Sequence, residues 1–324
     1  VWYGGEGILS GKDITIGEII AFILFIHMMF RPIRQLADRF NILQMGIVGS
    51  ERIFSVLDTD DIIRDDGNNL LTDIKGEISF NNVHFSYKKD EPVLMGLNFH
   101  VKSGNFLAIV GRTGSGKTSI INVLNRFYEI QRGEIYMDKI NISDLKLSSL
   151  RSHIALIQQE VFLFSDSIFN NVTLYNMNIT IEQVIDAAKQ IGVHSFIENL
   201  PGSYNYVVGE RGVTLSAGQR QLIAFLRVYV RNPKIIILDE ATSSIDTETE
   251  VLLQSALGKL SNNRTTIVIA HRLSTIVKAD KILYLEEGRV KEEGKHDELL
   301  TNKSDYYQMY NTQLKSGLFN TESL

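Results

Sequence analysis

The stretch FLAIVGRTGSGKTSIINVL, residues 106–124, decides the fold. Its first five residues form a short apolar run bounded by polar ones, which suits a strand of a parallel sheet covered on both faces. GRTGSGKT, residues 111–118, then fits G-x-x-x-x-G-K-[ST], and Ile120, Ile121, Val123, Leu124 and Phe127 follow at the spacing of an amphipathic helix. Strand, glycine-rich loop and helix in that order are the setting in which such a loop cradles phosphate. Glycines remove Cβ atoms so that successive backbone N–H groups converge, and the helix N-terminus adds its positive end. Gly111, Arg112, Thr113, Gly114, Ser115, Gly116 and Ser119 belong to this expected cradle. Lys117 is expected at the β- and γ-phosphates, and Thr118 offers its hydroxyl to Mg²⁺.

Working outward, IIIL (235–238), IVIA (267–270) and ILYL (282–285) are further apolar runs of central-strand length. Ile78, Phe80, Val83, Phe85 and Tyr87 alternate imperfectly with polar residues, and Leu97, Phe99 and Val101 alternate cleanly, which predicts half-buried antiparallel strands. The architecture is therefore α/β. The run at 235 ends in Asp239 and Glu240. Two acids after a strand, taken alone, more often cap a helix, but a phosphate loop in the same chain reverses that balance. Asp239 then stands at the carboxyl edge of the sheet, where it can hold the Mg²⁺ shell, and Glu240 can face an attacking water. Mg²⁺ keeps several waters, so Asp239, Thr118 and phosphate oxygens make a sufficient set.

The composition is globular: of 324 residues, 44% are hydrophobic and 22% charged, with 4 Pro against 24 Gly. About two domains are expected at this length. Thirty-three basic against 38 acidic residues argue against a protein held on nucleic acid by bulk positive charge. The absence of cysteine excludes disulfides, zinc–thiolate sites and thiol nucleophiles.

The chain starts at Val1 and reads as a fragment. IIAFILFIHMMF, residues 19–30, is shorter than the roughly 18–20 apolar residues of an isolated spanning helix. Ile33, Leu36, Phe40, Leu43 and Ile47 nevertheless keep helical spacing and carry the helix far beyond the run. A membrane helix with a cytoplasmic extension and a buried core helix both fit. If it spans, Arg31, Arg34 and Arg39 mark the cytoplasmic side. The acidic, turn-rich DTDDIIRDDGNNLLTDI at 58–74 reads as a solvated surface linker.

LSAGQRQ, residues 215–221, followed by Leu222, Ile223, Phe225, Leu226 and Tyr229 at helical spacing, narrows the class. Here the chain closely resembles the ATP-binding cassette (ABC) family, whose signature is usually LSGGQ, with Ala217 in place of the commoner Gly. The family's other marks stand in order: Tyr87 ahead of the loop, Gln159 in IQQE, GERG at 209–212, SSID with Ser243 and Asp246, and His271 in IAHR. The resemblance covers residues 76–315. It implies a P-loop NTPase core of ABC type with an antiparallel β subdomain and a helical subdomain at about 151–229. It also implies ATP and Mg²⁺ as ligands, with Tyr87 stacking on adenine. Gln159, preferred over Gln158, meets Mg²⁺ and water, and His271 holds Glu240 and water at the γ-phosphate. Glu240, His271 and Gln159 are thus the catalytic set, and Thr118, Gln159 and Asp239 the metal set. Ser216, Ala217, Gly218 and Gln219 are assigned to the γ-phosphate held by a second cassette, and Asp246 to the seam between the two. His27, His84, His153 and His194 join no constellation.

The resemblance extends to the N-terminus, where Gly4, Gly5, Gly11, residues 16–22, Pro32 and RIFSVLD (52–58) follow the order seen where an exporter's last membrane helix enters its cassette. The implied organisation is the end of a transmembrane domain at 1–57, a long, partly transmembrane helix that precedes the core, then a linker at 58–75, the nucleotide-binding domain at 76–315, and a tail at 316–324. Five preceding membrane helices of such a half are absent. The expected protein hydrolyses ATP competently, since Glu240 and His271 are both present, and drives export from a bacterial cell membrane with its cassette in the cytoplasm. Its expected partner is a second half-transporter, identical or different, and no nucleic acid. A soluble ABC ATPase not coupled to transport and a non-hydrolysing cassette are the alternatives.

Overall fold

The computed structural model describes residues 1–11, 15–59, 63, 65–72, 74–239, 247–270 and 272–315. The chain forms two compact units, Val1–Ile62 and Ile63–Leu324.

The first unit is helical. A short helix, Trp2–Leu9, precedes a long one, Ile16–Leu57. The long helix opens with a capping box, in which Glu18 N–H donates to Thr15 Oγ1 (3.3 Å) and Thr15 N–H donates to Glu18 Oε2 (2.8 Å). At 42 residues it is about 63 Å long, roughly twice the hydrocarbon thickness of a bilayer. Its most apolar 18-residue window has a mean hydropathy of 1.8 and none of it is buried. An apolar helix exposed along this window needs a cover, of lipid or of protein, beyond the described residues of its own unit.

The second unit holds two sheets. The antiparallel sheet takes β1 (Ile78–Lys88) and β2 (Glu91–Val101), and the six-stranded sheet begins with β3 (Phe106–Gly111). β4 (Arg132–Met137) and β5 (Ile140–Asn141) return to the antiparallel sheet, whose order is β2-β1-β4-β5. β6 (Ile154–Ile157), β7 (Ile235–Asp239), β8 (Thr265–Ile269), β9 (Lys281–Glu286) and β10 (Arg289–Gly294) complete the larger sheet, ordered β10-β9-β3-β8-β7-β6. All its neighbours are parallel except β10, which pairs antiparallel with β9 at the edge.

The continuous apolar runs are explained by what covers each face. Ala108, Val110, Ile236, Leu238 and Val268 pack into a core shared with the helices, while Leu107, Ile109, Ile235, Ile237 and Ile267 join a second core with the antiparallel sheet. Successive residues point to opposite faces, and both faces are dry. Phe80 and Phe99, stacked at 4.4 Å between centroids, knit the antiparallel pair inside the second core.

Two expectations are refined. The acidic stretch is docked in part: Leu71 and Ile74 are buried, Leu71 N–H donates to Ser149 Oγ (2.9 Å), and Leu147 N–H donates to Asp65 Oδ1 (2.7 Å). The Asp138 carboxylate accepts the backbone N–H groups of Lys75 (2.6 Å), Gly76 (3.1 Å) and Glu77 (2.8 Å), pinning the segment as it enters β1. Within 151–229, residues 154–157 belong to the main sheet as β6. The helices Ile168–Thr173, Ile181–Ile191, His194–Glu198 and Ala217–Arg231 carry the helical part.

Candidate nucleotide site

Strand order assembles the site. β3, β8, β7 and β6 lie side by side and parallel, so their carboxyl ends form one edge. On that edge stand the glycine-rich loop after β3, Asp239 at the end of β7, and Gln159 two residues past β6. Adjacent strands are about 4.8 Å apart, which leaves Asp239 two strand spacings from the loop. Open parallel sheets bind ligands along this edge.

The loop is shaped by close approach. Gly111 has φ +151, and a Cβ there would lie 2.2 Å from the Leu285 carbonyl oxygen, so β3 can leave the sheet beside β9 only through glycine. Gly116, at φ +100, is the N-cap of the helix Lys117–Leu124, where a Cβ would meet Leu94 Cδ2 at 2.9 Å. Gly114, at φ +82, faces open space. Ser115 N–H donates to Arg112 O (3.1 Å), and Gly288 N–H donates to Ser115 O (3.1 Å), which ties the loop to the turn between β9 and β10. Ser115 is buried, and its Oγ has no hydrogen-bond partner among the described residues.

Lys117 folds its ammonium over the loop and donates to Gly111 O (2.9 Å) and Arg112 O (2.8 Å). Burial pulls its pKa below the ordinary lysine value, and the Asp239 carboxylate acts against that shift. A cation held by two neutral carbonyls, with Asp239 only in part offsetting its burial, favours a further anionic partner such as phosphate. The orphaned Ser115 hydroxyl and the open space at Gly114 fit the same ligand. Arg112, Thr113 and Thr118 are exposed around the loop. Thr118, Asp239 and Gln159 bring three side-chain oxygen donors to this edge, the ligand chemistry that Mg²⁺ takes.

Tyr87, near the end of β1, is half-exposed. It meets Phe85 and Tyr128 edge-on, with centroids 4.8 and 5.0 Å apart. Its hydroxyl lies 3.2 Å from Ser119 Oγ and accepts from Asn122 Nδ2 (2.9 Å). Ser119, expected in the phosphate cradle, thus turns its side chain to Tyr87. Gln159 is exposed.

The signature segment forms the start of the helix Ala217–Arg231. Ser216 is its N-cap, with Gln219 N–H donating to Ser216 Oγ (3.2 Å) and Ser216 N–H to Gln219 Oε1 (3.0 Å). Ser216 and Ala217 are exposed at a helix N-terminus, a ready anion site. No hydrogen bond or ion pair among the described residues joins residues 216–219 to residues 111–119. Glu240, Ser243, Asp246 and His271 lie outside the described residues.

Sequence reasoning gave no role to three residues that hold these parts. Arg220 Nη1 donates to Leu215 O (2.7 Å) and Gly212 O (3.3 Å), bracing the turn before the signature helix. Asn171 is fully buried, its Oδ1 accepting from Phe164 N–H (2.8 Å) and its Nδ2 donating to Phe164 O (3.0 Å) and Ser167 O (3.0 Å). Arg227, on the signature helix, donates from Nε to Asn171 O (2.8 Å). A chain from the segment after Gln159 to the signature helix results. Its only trace in the sequence is polar residues inside otherwise apolar helices, at Asn171 and Arg227.

A phosphate loop on a parallel sheet beside an antiparallel sheet and a helical layer defines a P-loop nucleotide-binding domain. Residues 94–243 match the family model described as ABC transporter. The chain belongs to the ABC transporter family. It is 44% identical over 319 residues to an uncharacterized ABC transporter ATP-binding protein, YknV of Bacillus subtilis, covering 98% of this chain and 53% of the relative. It is 40% identical over 316 residues to an ATP-dependent lipid A-core flippase of Syntrophus aciditrophicus, covering 97% of this chain and 52% of the relative. A solved structure described as a bacterial Atm1-family ABC exporter with ATP bound is similar at a TM-score of 0.75 and 36% identity, over 94% of this chain and 53% of that one. The chain spans about half the length of the curated relatives it matches.

Proposed function

We propose that this chain is the C-terminal part of an exporter-type half-transporter, which binds Mg·ATP at residues 111–119 and hydrolyses it to drive export across a bacterial cell membrane. The observation that carries the reading is the single sheet edge shared by the phosphate loop, Asp239 and Gln159. ATP supplies the phosphoanhydride bond, and Mg²⁺ neutralises the charge of its phosphates.

Each residue then has a task. Lys117 and the loop N–H groups hold the β- and γ-phosphates, Thr118 and Asp239 hold the metal, and Tyr87 carries the adenine. Glu240 polarises water, with His271 and Gln159 positioning it. Ser216 and Ala217, exposed at the helix N-terminus, close with Gly218 and Gln219 on the γ-phosphate of a second cassette, with Asp246 at the seam. ATP stabilises the closed pair and ADP does not, so hydrolysis resets the equilibrium. The exposed helix Ile16–Leu57 crosses the membrane and leads into the cassette, which stands in the cytoplasm. Its partner is a second half-transporter, the same or different.

Glu240→Gln tests the catalytic part. Loss of the base should abolish phosphate release while Mg·ATP still binds, and sedimentation should show an ATP-dependent pair of cassettes. Unchanged phosphate release would contradict it. Recovery of the chain in the soluble fraction of lysed cells would favour a soluble ABC ATPase instead.

A further inference from the structure

Lys117 and Tyr87 mark the two ends of the expected nucleotide, and one short helix reaches both. Lys117 is the first residue of the helix Lys117–Leu124, and Ser119 and Asn122, three apart and so on one face, both reach the Tyr87 hydroxyl. We infer that Asn122, with Ser119, is a positioning residue for the base: it fixes the ring of Tyr87 at a set distance from the phosphate loop. This rests on the reading of Tyr87 as the adenine platform.

The geometry supports more than a chance contact. Tyr87 is 47% exposed near the end of β1, and its aromatic neighbours Phe85 and Tyr128 stand at 81° and 90° to it. Among the described residues no ring lies parallel to it, which is the arrangement a purine takes on an aromatic platform. Edge contacts alone leave a half-exposed ring free to swing about two side-chain torsions, and that freedom would be lost on binding. Asn122 Nδ2 donates to the phenol oxygen at 2.9 Å, and the phenol O–H can in turn donate to Ser119 Oγ at 3.2 Å. The ring is thereby ordered before nucleotide arrives, by a helix whose first residue also sets the triphosphate. Asn122 needs no contact with ATP to do this.

The test is equilibrium binding of two probes to the full chain, Mg·ATP and Mg·tripolyphosphate, the second having no base. Asn122→Ala is expected to weaken Mg·ATP about three- to tenfold and leave Mg·tripolyphosphate unchanged, the effect of one ordering hydrogen bond. Tyr87→Phe keeps the ring and removes the same bond, so it should weaken Mg·ATP to a similar degree, and the double variant should be no worse than either single one. Equal losses for both probes would mean that Asn122 acts on the phosphate loop, which overturns the inference. So would Asn122→Ala without effect, or effects that simply add. If Tyr87→Ala leaves Mg·ATP affinity intact, the adenine platform itself fails and the inference with it. If Tyr87→Ala weakens Mg·ATP while Asn122→Ala does not, the platform stands and only the inference falls.

Discussion

Thr265→Val isolates a single hydroxyl that joins the entering segment to the central sheet. Thr265 and its neighbour Thr266 both lie on β8 and are both fully buried. Thr265 Oγ1 donates to Gly76 O at 2.6 Å and accepts from Gly104 N–H at 2.9 Å, whereas Thr266 Oγ1 makes, among the described residues, a single long hydrogen bond, 3.4 Å to Arg264 O. Valine has nearly the same shape, so no cavity forms and the cost is that of stranded partners. The Gly76 carbonyl, buried at this contact, loses its donor at about 1–3 kcal/mol. The part-buried Gly104 N–H can turn to water and adds about 0.5–1 kcal/mol. The sum, about 1.5–4 kcal/mol, should lower the melting midpoint of the cassette by roughly 3–16 °C at about 2–4 °C per kcal/mol for a unit of this size. Thr266→Val serves as the control and should cost under about 1 kcal/mol. Calorimetry or circular dichroism on both variants decides the matter. Equal costs for the two, or a Thr265→Val midpoint within a degree of wild type, would refute the hydrogen-bond accounting.

Gly111→Ala places a methyl group 2.2 Å from the backbone oxygen of Leu285, which no side-chain rotation relieves, so Mg·ATP affinity should fall more than about tenfold in titration calorimetry. Asn171→Ala strands the N–H and carbonyl of Phe164 and should cost about 2–4 kcal/mol in urea unfolding. His296 accepts from or donates to the buried Tyr306 hydroxyl at 2.7 Å, and burial holds its pKa below the ordinary 6.5 although Asp297 opposes this. The unfolded chain therefore takes up the proton first, so this stability is complete above pH 6.5 and is lost as pH falls towards the folded value. His296→Gln should flatten the melting profile between pH 8 and pH 5.5, measured against wild type.

The central strands were legible because each reads as an unbroken apolar run, which a sheet covered on both faces requires. β6 escaped notice because IALI is only four residues long and follows directly on a helix. The phosphate loop and signature were legible because they depend on glycine and small polar residues at fixed spacing. What holds them was not. Asn122, Asp138 and Arg227 act through partners distant in sequence, and Asn171 through backbone groups of the turn just before its own helix, which no residue pattern announces. Asp138 illustrates the point: its carboxylate meets N–H groups more than sixty residues away. The acidic stretch looked solvated because its composition hides Leu71 and Ile74, the two apolar residues that dock it.

The account stands on nucleotide held through Lys117 at the glycine-rich loop. Titration of the full chain with Mg·ATP should give one saturable site per chain, and Lys117→Ala should weaken it more than about tenfold while the melting midpoint shows the protein still folded. Equal affinity in a folded Lys117→Ala variant would contradict the account.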